Sequence, residues 1–229
     1  ADVRYCGIFY ADGEKIKESK VVTKERVWKG KQEVKDLLLD FIATEPNEKK
    51  DTIMEVSVWK ALFRKKVFDE YDISFVSERQ FISEDVIFDI DYLSKCNCVV
   101  AIPEPVYFYC VNPNSLSKVF RTDRFNKVKK LYKEILKKLI PIYGEELSNR
   151  RGDRFLIARA RTNARQIIRH EKIIGKNKMM KALHNICEDQ DMNEIFQRYP
   201  IHLLPLKYRL VAYLMKYRCY HLLKIILGR

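Results

Sequence analysis

Two adjacent carboxylates, Glu84 and Asp85, head an apolar repeat in Phe81-Ile82-Ser83-Glu84-Asp85-Val86-Ile87-Phe88-Asp89-Ile90-Asp91-Tyr92-Leu93. Val86, Ile87, Ile90 and Leu93 recur at i, i+1, i+4 and i+7, the spacing of one buried helical stripe. Ser83 then reads as the N-cap, and Glu84 and Asp85 fall in the first turn, where the helix dipole favours negative charge. A carboxylate at the mouth of a helix and aimed away from the core can take a proton from a substrate hydroxyl. The same residues also make an ordinary capped, acidic helix start, and the local pattern leaves both readings open. Asp85, Asp89 and Tyr92 share one flank of this helix, with the two aspartates repelling at i,i+4.

Other chemistry is sparse. Asp89-Ile90-Asp91 and Asp189-Gln190-Asp191 look like metal-binding pairs, but residues two apart on a helix point about 200° apart. Both pairs read as solvated charges. The six cysteines form no CxxC pair, and Cys96-Asn97-Cys98 is too close for a zinc knuckle, so free thiols in a reducing compartment are expected. No two of the four histidines have HExxH spacing. Arg151-Gly152-Asp153 is an adhesion tripeptide by letter only.

The elements that must position these groups change character along the chain. Residues 3–10 read as a strand, Asp12-Gly13 as a hairpin turn, and Ile16–Val22 as a second strand. Lys31–Ala43 reads as a helix with the apolar face Val34, Leu37, Leu38, Phe41 and Ile42, followed by a polar loop, Glu45–Lys50. Ser57–Phe68 is ambiguous between helix and strand. Ile73–Val76 reads as a strand, and Cys98–Ile102 and Val106–Cys110 as two more, split by Pro103-Glu104-Pro105. From about Thr122 the period is helical, with candidates at Asp123–Ile140, Asp153–Ile174, Lys176–Cys187 and Leu206–Leu227, broken at Pro141, Gly144, Gly175 and Pro200/Pro205.

Charge changes at the same place. Residues 1–120 carry 18 Lys and Arg against 21 Asp and Glu, and residues 121–229 carry 26 against 10. The expected organisation is therefore an α/β (or α+β) module over 1–120 and a basic, all-α module over 121–229 with an anionic partner. No charge-free run approaches the roughly 20 apolar residues of a spanning helix. Arg151, Arg154, Arg161, Arg165 and Lys172 fall on one helical stripe, read either as a solvated face or as a binding surface. Leu206–Arg229 interleaves basic residues with Leu and Tyr as a basic amphipathic helix suited to an anionic membrane surface. A nucleic-acid-binding protein is the competing reading of the basic half. The acidic first half argues against nucleic acid, as does the lack of any RNP, helix-turn-helix or zinc-finger pattern. A non-catalytic scaffold of a larger assembly is a third reading.

Read in order, Ser57-Val58-Trp59-Lys60-Ala61-Leu62-Phe63-Arg64-Lys65, Ile73-Ser74-Phe75, Glu84-Asp85, Glu104-Pro105-Val106-Tyr107-Phe108-Tyr109 and Asn114-Ser115-Leu116-Ser117 form a distinctive series. It resembles the acceptor-side half of bacterial family 2 glycosyltransferases of the GT-A fold, which build capsules, lipopolysaccharide and other surface glycans. The resemblance covers residues 1–120, and the helical remainder is similar to the basic C-terminal extensions of many members. It implies a partial GT-A-like mixed sheet with flanking helices. It also implies an inverting sugar transfer from a nucleotide-diphosphate donor to a glycan or lipid-linked acceptor, at the inner face of the cytoplasmic membrane. Asp85 is then the general base and Glu84 its orienting neighbour. Trp59 is placed near the acceptor pocket, with a core tryptophan as the equal alternative. Lys60 and Arg64 either meet the donor diphosphate or sit solvated. Cys110 stands where the family often has a basic residue, so that contact would move to Lys118. The family's nucleotide-binding aspartate and metal-binding Asp-x-Asp would precede residue 1. The chain is therefore expected to be a portion of a longer enzyme, inactive alone, whose divalent Mn or Mg is bound by residues absent from it.

Overall fold

A computed structural model describes residues 1–53, 57–112, 121 and 123–228. It is a mixed α/β structure followed by a helical region, and it divides into two compact units. The first comprises Ala1–Ile42, Thr52–Arg79 and Ser83–Val119; the second comprises Ala43–Asp51, Gln80–Ile82 and Phe120–Arg229.

The first unit is built on β1 (Val3–Asp12), whose residues Val3, Tyr5, Cys6 and Ile8 are all buried. Burial on both faces marks an interior strand. The hairpin at Gly13 turns it into β2 (Lys15–Ser19), which pairs antiparallel with Ile8–Asp12. β4 (Ala61–Phe63) pairs with Val3–Tyr5 along the same side of β1, end to end with β2. On the other side β1 runs parallel to β5 (Cys98–Cys110), and β3 (Arg26–Lys29) pairs antiparallel with the first residues of β5. α1 (Lys31–Ile42) buries all five residues of its expected face. α2 (Lys65–Tyr71) and α3 (Asp85–Leu93) complete the unit.

Several expectations are corrected here. The two strands around Pro103-Glu104-Pro105 are one strand, β5, whose register against β1 shifts on either side of Gly7. A Cβ on Gly7 would lie 2.7 Å from the Pro103 carbonyl oxygen, so only glycine lets the shifted strand pass. β3 covers β5 only as far as Ala101, so the missing N–H groups of the two prolines interrupt no ladder on that edge. Ile73–Val76 is not a strand. With no neighbouring strand to pair with, the segment packs by its aromatic ring instead: Phe75 stacks on Phe88 at 4.2 Å. The ambiguous stretch from Ser57 resolves into a 3-10 turn (Val58–Lys60), β4 and the start of α2. β3 has no expectation behind it, because only Trp28 among its four residues is buried.

The second unit is helical: α4 (Arg124–Tyr143), α5 (Glu145–Arg169), α6 (Glu171–Ile174), α7 (Lys176–Cys187), α8 (Gln190–Arg198), α9 (Leu206–Lys216) and α10 (Tyr220–Gly228). α4 continues through Pro141 and stops at Gly144, since a proline in the last turn removes only one bond near an end that frays. α5 begins at Glu145, ahead of the expected Asp153, and breaks from α6 at His170. The expected single helix Leu206–Leu227 is two helices, interrupted where Arg218 takes a left-handed φ of 57°. Three of its basic residues are engaged internally: Arg209 donates to the His202 carbonyl, Lys216 to the Phe196 carbonyl, and Lys224 pairs with Glu171.

The arginine stripe is neither a solvated face nor an open binding surface at its centre. Arg151, Arg154 and Arg161 are buried and grip the loop Ala43–Asp51 by its carbonyls and carboxylates. Arg151-Gly152-Asp153 is wholly buried. Asp153 takes two charge-assisted bonds from Arg198, each 2.7 Å, and one from the Tyr132 hydroxyl at 2.8 Å. Gly152 lets α4 approach, since a Cβ there would meet Leu136 at 2.6 Å. Asp189 and Asp191 are ion-paired with Lys129 and Lys133 rather than solvated, and Asp189 caps α8.

Candidate active site

Asp85 is the first residue of α3, Glu84 precedes it at the cap position, and both are half-buried. Ser83 is not the cap. Its φ of 62° is left-handed, and no side chain caps α3. A non-glycine residue there costs about 1 kcal/mol, and strain of this kind gathers at functional sites. The Asp85 carboxylate accepts the backbone N–H of Val58, which opens the 3-10 turn carrying Trp59 and Lys60. That one bond draws Asp85, Trp59 and Lys60 together. Burial, then the Glu84 charge, push the Asp85 carboxyl above the usual carboxylate range, and the Val58 N–H pulls it partly back.

One helical turn on, Asp89 is fully buried, which corrects its reading as a solvated charge. The flank it shares with Tyr92 faces inward, because Tyr92 is buried as well and donates to the carbonyls of Asp2 and Arg64. The Tyr5 hydroxyl on β1 donates to Asp89 Oδ1 at 3.3 Å, and Oδ2 has no hydrogen-bond partner. Burial first, and then the Asp85 charge, push the Asp89 carboxyl up to about 8, while the Tyr5 bond and the Lys60 charge act in the opposite direction. Asp89 is therefore protonated at neutral pH, so Asp85 can ionise beside it without a second negative charge in the same site. Lys60 is only 3 % exposed, which rules out the solvated reading.

Four ionisable groups face Asp89: Tyr5 from β1, Lys60 from the 3-10 turn, Asp85 from its own helix, and Cys96, whose thiol is itself pushed up to about 12. The unfolded carboxyl releases its proton near 3.8 and the folded one near 8. Between those values the folded state holds more protons than the unfolded state, so stability falls as pH rises through the window. We expect the unfolding temperature to drop between pH 5 and pH 8, and Asp89→Asn, an isostere of the neutral carboxyl, to drop less. Equal drops in differential scanning fluorimetry would contradict this.

Trp59 is half-buried, its ring 5.0 Å from Tyr107 and 5.1 Å from Tyr109 near the carboxyl end of β5. Tyr107 is 42 % exposed, so the three rings make a wall with an accessible side. Flat aromatic walls of this kind take the apolar face of a ligand ring. Parallel strands bind ligands beyond their carboxyl ends, and β1 and β5 are the parallel pair. Arg64 lies elsewhere. It pairs with Asp2 at 3.3 Å, where Asp2 also accepts the N–H groups of Asn97 and Cys98 at the amino end of β5. β4 separates Lys60 from Arg64 by roughly 13 Å at strand rise, so the two cations do not act on one group. Lys118 and Asn114–Ser117 lie outside the described residues.

The sequence signal missed Asp89, Tyr5 and the tyrosine wall. The i,i+4 spacing of Asp85 and Asp89 was visible, but not that β1 would cover the second of them. Among the described residues, no group of three or more His, Cys, Asp or Glu could hold a metal ion. The divalent ion implied by the resemblance therefore finds no ligand set among the described residues.

The parallel pair β1 and β5, helix α3 and the helical region belong to a mixed α/β fold with a helical C-terminal part. The chain is similar to the crystal structure of S. aureus TarS 1-349 in complex with UDP-GlcNAc, with a TM-score of 0.53 and 13 % identity. The match covers 99 % of this chain and 58 % of that one. No family model and no curated protein matches the sequence.

Proposed function

We propose that the protein is an inverting, family 2-like glycosyltransferase, moving a sugar from a nucleotide-diphosphate donor to a hydroxyl of a glycan or lipid-linked acceptor in surface-glycan synthesis. The observation that carries this reading is Asp85: a half-buried carboxylate of raised pKa, tied to the turn bearing Trp59 and backed by a neutral Asp89. It stands in a fold similar to that of TarS, which was solved with UDP-GlcNAc.

The acceptor hydroxyl gives its proton to Asp85 as its oxygen attacks the anomeric carbon, and the nucleoside diphosphate leaves from the opposite side. The raised pKa matches Asp85 better to a hydroxyl proton than an ordinary aspartate. Glu84 orients the base, and the Trp59–Tyr107–Tyr109 wall holds the acceptor ring. Lys60 is enclosed, so it offsets negative charge beside Asp89 instead of gripping the diphosphate.

The chain spans 58 % of the TarS chain it matches, so catalysis is proposed for the full-length protein, whose donor nucleotide and divalent ion are held by residues other than those described here. Among the described residues no helix is long and apolar enough to cross a membrane. We place the enzyme in the cytoplasm, on the inner face of the membrane, with exposed Leu206, Leu210, Leu222 and Ile225 as its apolar contacts. The test is release of nucleoside diphosphate from a panel of nucleotide sugars by the full-length protein. Acceptor-stimulated release from one of them is expected, and no release from any would refute the assignment.

A further inference from the structure

The helical unit holds a cavity of about 450 Å³ between the start of α4, the second half of α5, α6 and α7. That volume is within the range of small-molecule sites. Its walls are apolar, from Phe125, Ile167, Ile174 and Ile186. Asn163 lines it as well, is 3 % exposed, and its Nδ2 has no hydrogen-bond partner.

The charges around the cavity have one sign. Among the described residues Arg121, Lys178 and Lys181 line it and no carboxylate does. Among the described residues Arg121 pairs with Asp123 at 4.0 Å, while Asp123 is engaged more closely by Lys127 at 3.0 Å. Burial first, and then the Arg121 charge, push the neighbouring Arg124 guanidinium down.

We propose that this cavity binds an amphipathic anion, an apolar chain or ring carrying a phosphate or carboxylate. The apolar body lies against Phe125, Ile167 and Ile186, and the charged head meets Arg121 and the exposed Lys178 and Lys181. The site lies wholly within the helical unit, and its ligand does not depend on the transferase reading.

Isothermal titration of the full chain with octyl phosphate below its micelle concentration tests this. Octyl phosphate is expected to bind at least about tenfold more tightly than either inorganic phosphate or octyltrimethylammonium. The double variant Lys178→Gln/Lys181→Gln changes two exposed side chains and so keeps the fold. It should weaken octyl phosphate about tenfold, and Ala182→Trp, which fills the cavity, should abolish binding. Displacement of octyl phosphate by phosphatidylglycerol vesicles would support the site and assign its ligand to a membrane lipid. Retention would support it with a soluble amphiphile. No binding at millimolar octyl phosphate, equal affinity for the cationic amphiphile, or binding unchanged by the double variant would overturn the proposal.

Discussion

On the proposed function, Asp85→Asn is expected to lower the sugar-transfer rate of the full-length protein by about 10²–10⁴-fold, the range for loss of a positioned general base. The amide keeps the shape of the carboxylate, so the contact with Val58 and the start of α3 stay in place. What disappears is the lone pair that takes the acceptor proton. Nucleotide-sugar affinity should change little, because Asp85 meets the acceptor side. Steady-state rates set beside equilibrium binding separate the two effects. A variant retaining more than about a tenth of the wild-type rate would remove Asp85 from the mechanism. The non-catalytic scaffold reading makes that opposite forecast.

Arg154→Met lowers the unfolding free energy by about 3–5 kcal/mol, the cost of removing one partner from a buried, hydrogen-bonded ionic cluster. Arg154 is 1 % exposed, and its guanidinium donates to the carbonyls of Pro46, Glu48 and Lys50 at 2.6, 3.0 and 3.3 Å. It also pairs with Asp51 at 3.4 Å. Methionine matches its length but donates nothing, so the loop carbonyls are stranded away from water. Arg154→Lys should rescue only part of the loss, since an ammonium cannot reproduce a planar fork across several acceptors. Urea unfolding measures both variants. A change below about 1 kcal/mol for methionine would show that the loop satisfies its carbonyls without Arg154.

Most of the architecture was legible because it is locally encoded. β1 is a mostly apolar run that ends in Asp12-Gly13, α1 repeats its apolar positions at helical spacing, and α7 matches its expected bounds of Lys176–Cys187. The misses depend on partners distant in sequence. Pro103 and Pro105 end most strands, but here β5 continues because Gly7, about a hundred residues away, makes room. Ile73–Val76 has strand composition without a strand beside it. The arginines of α5 look like a solvated stripe until the loop from Ala43 to Asp51 lies against them.

The candidate site divides in the same way. Glu84 and Asp85 stand out at a helix start, but their role, like that of Trp59, comes from the family resemblance. The tie between them, one bond from Asp85 to the Val58 backbone, belongs to the fold. Asp89 looked like a surface charge because an aspartate at i+4 usually is one. Only the burial imposed by β1 makes it a neutral neighbour to the base.

The most direct measurement is proton NMR of the anomeric centre in the product formed by the full-length protein from its nucleotide sugar and acceptor. A single displacement assisted by Asp85 predicts a product of inverted configuration, formed by the wild type and not by Asp85→Asn. A product of retained configuration, or equal product from the variant, would contradict it.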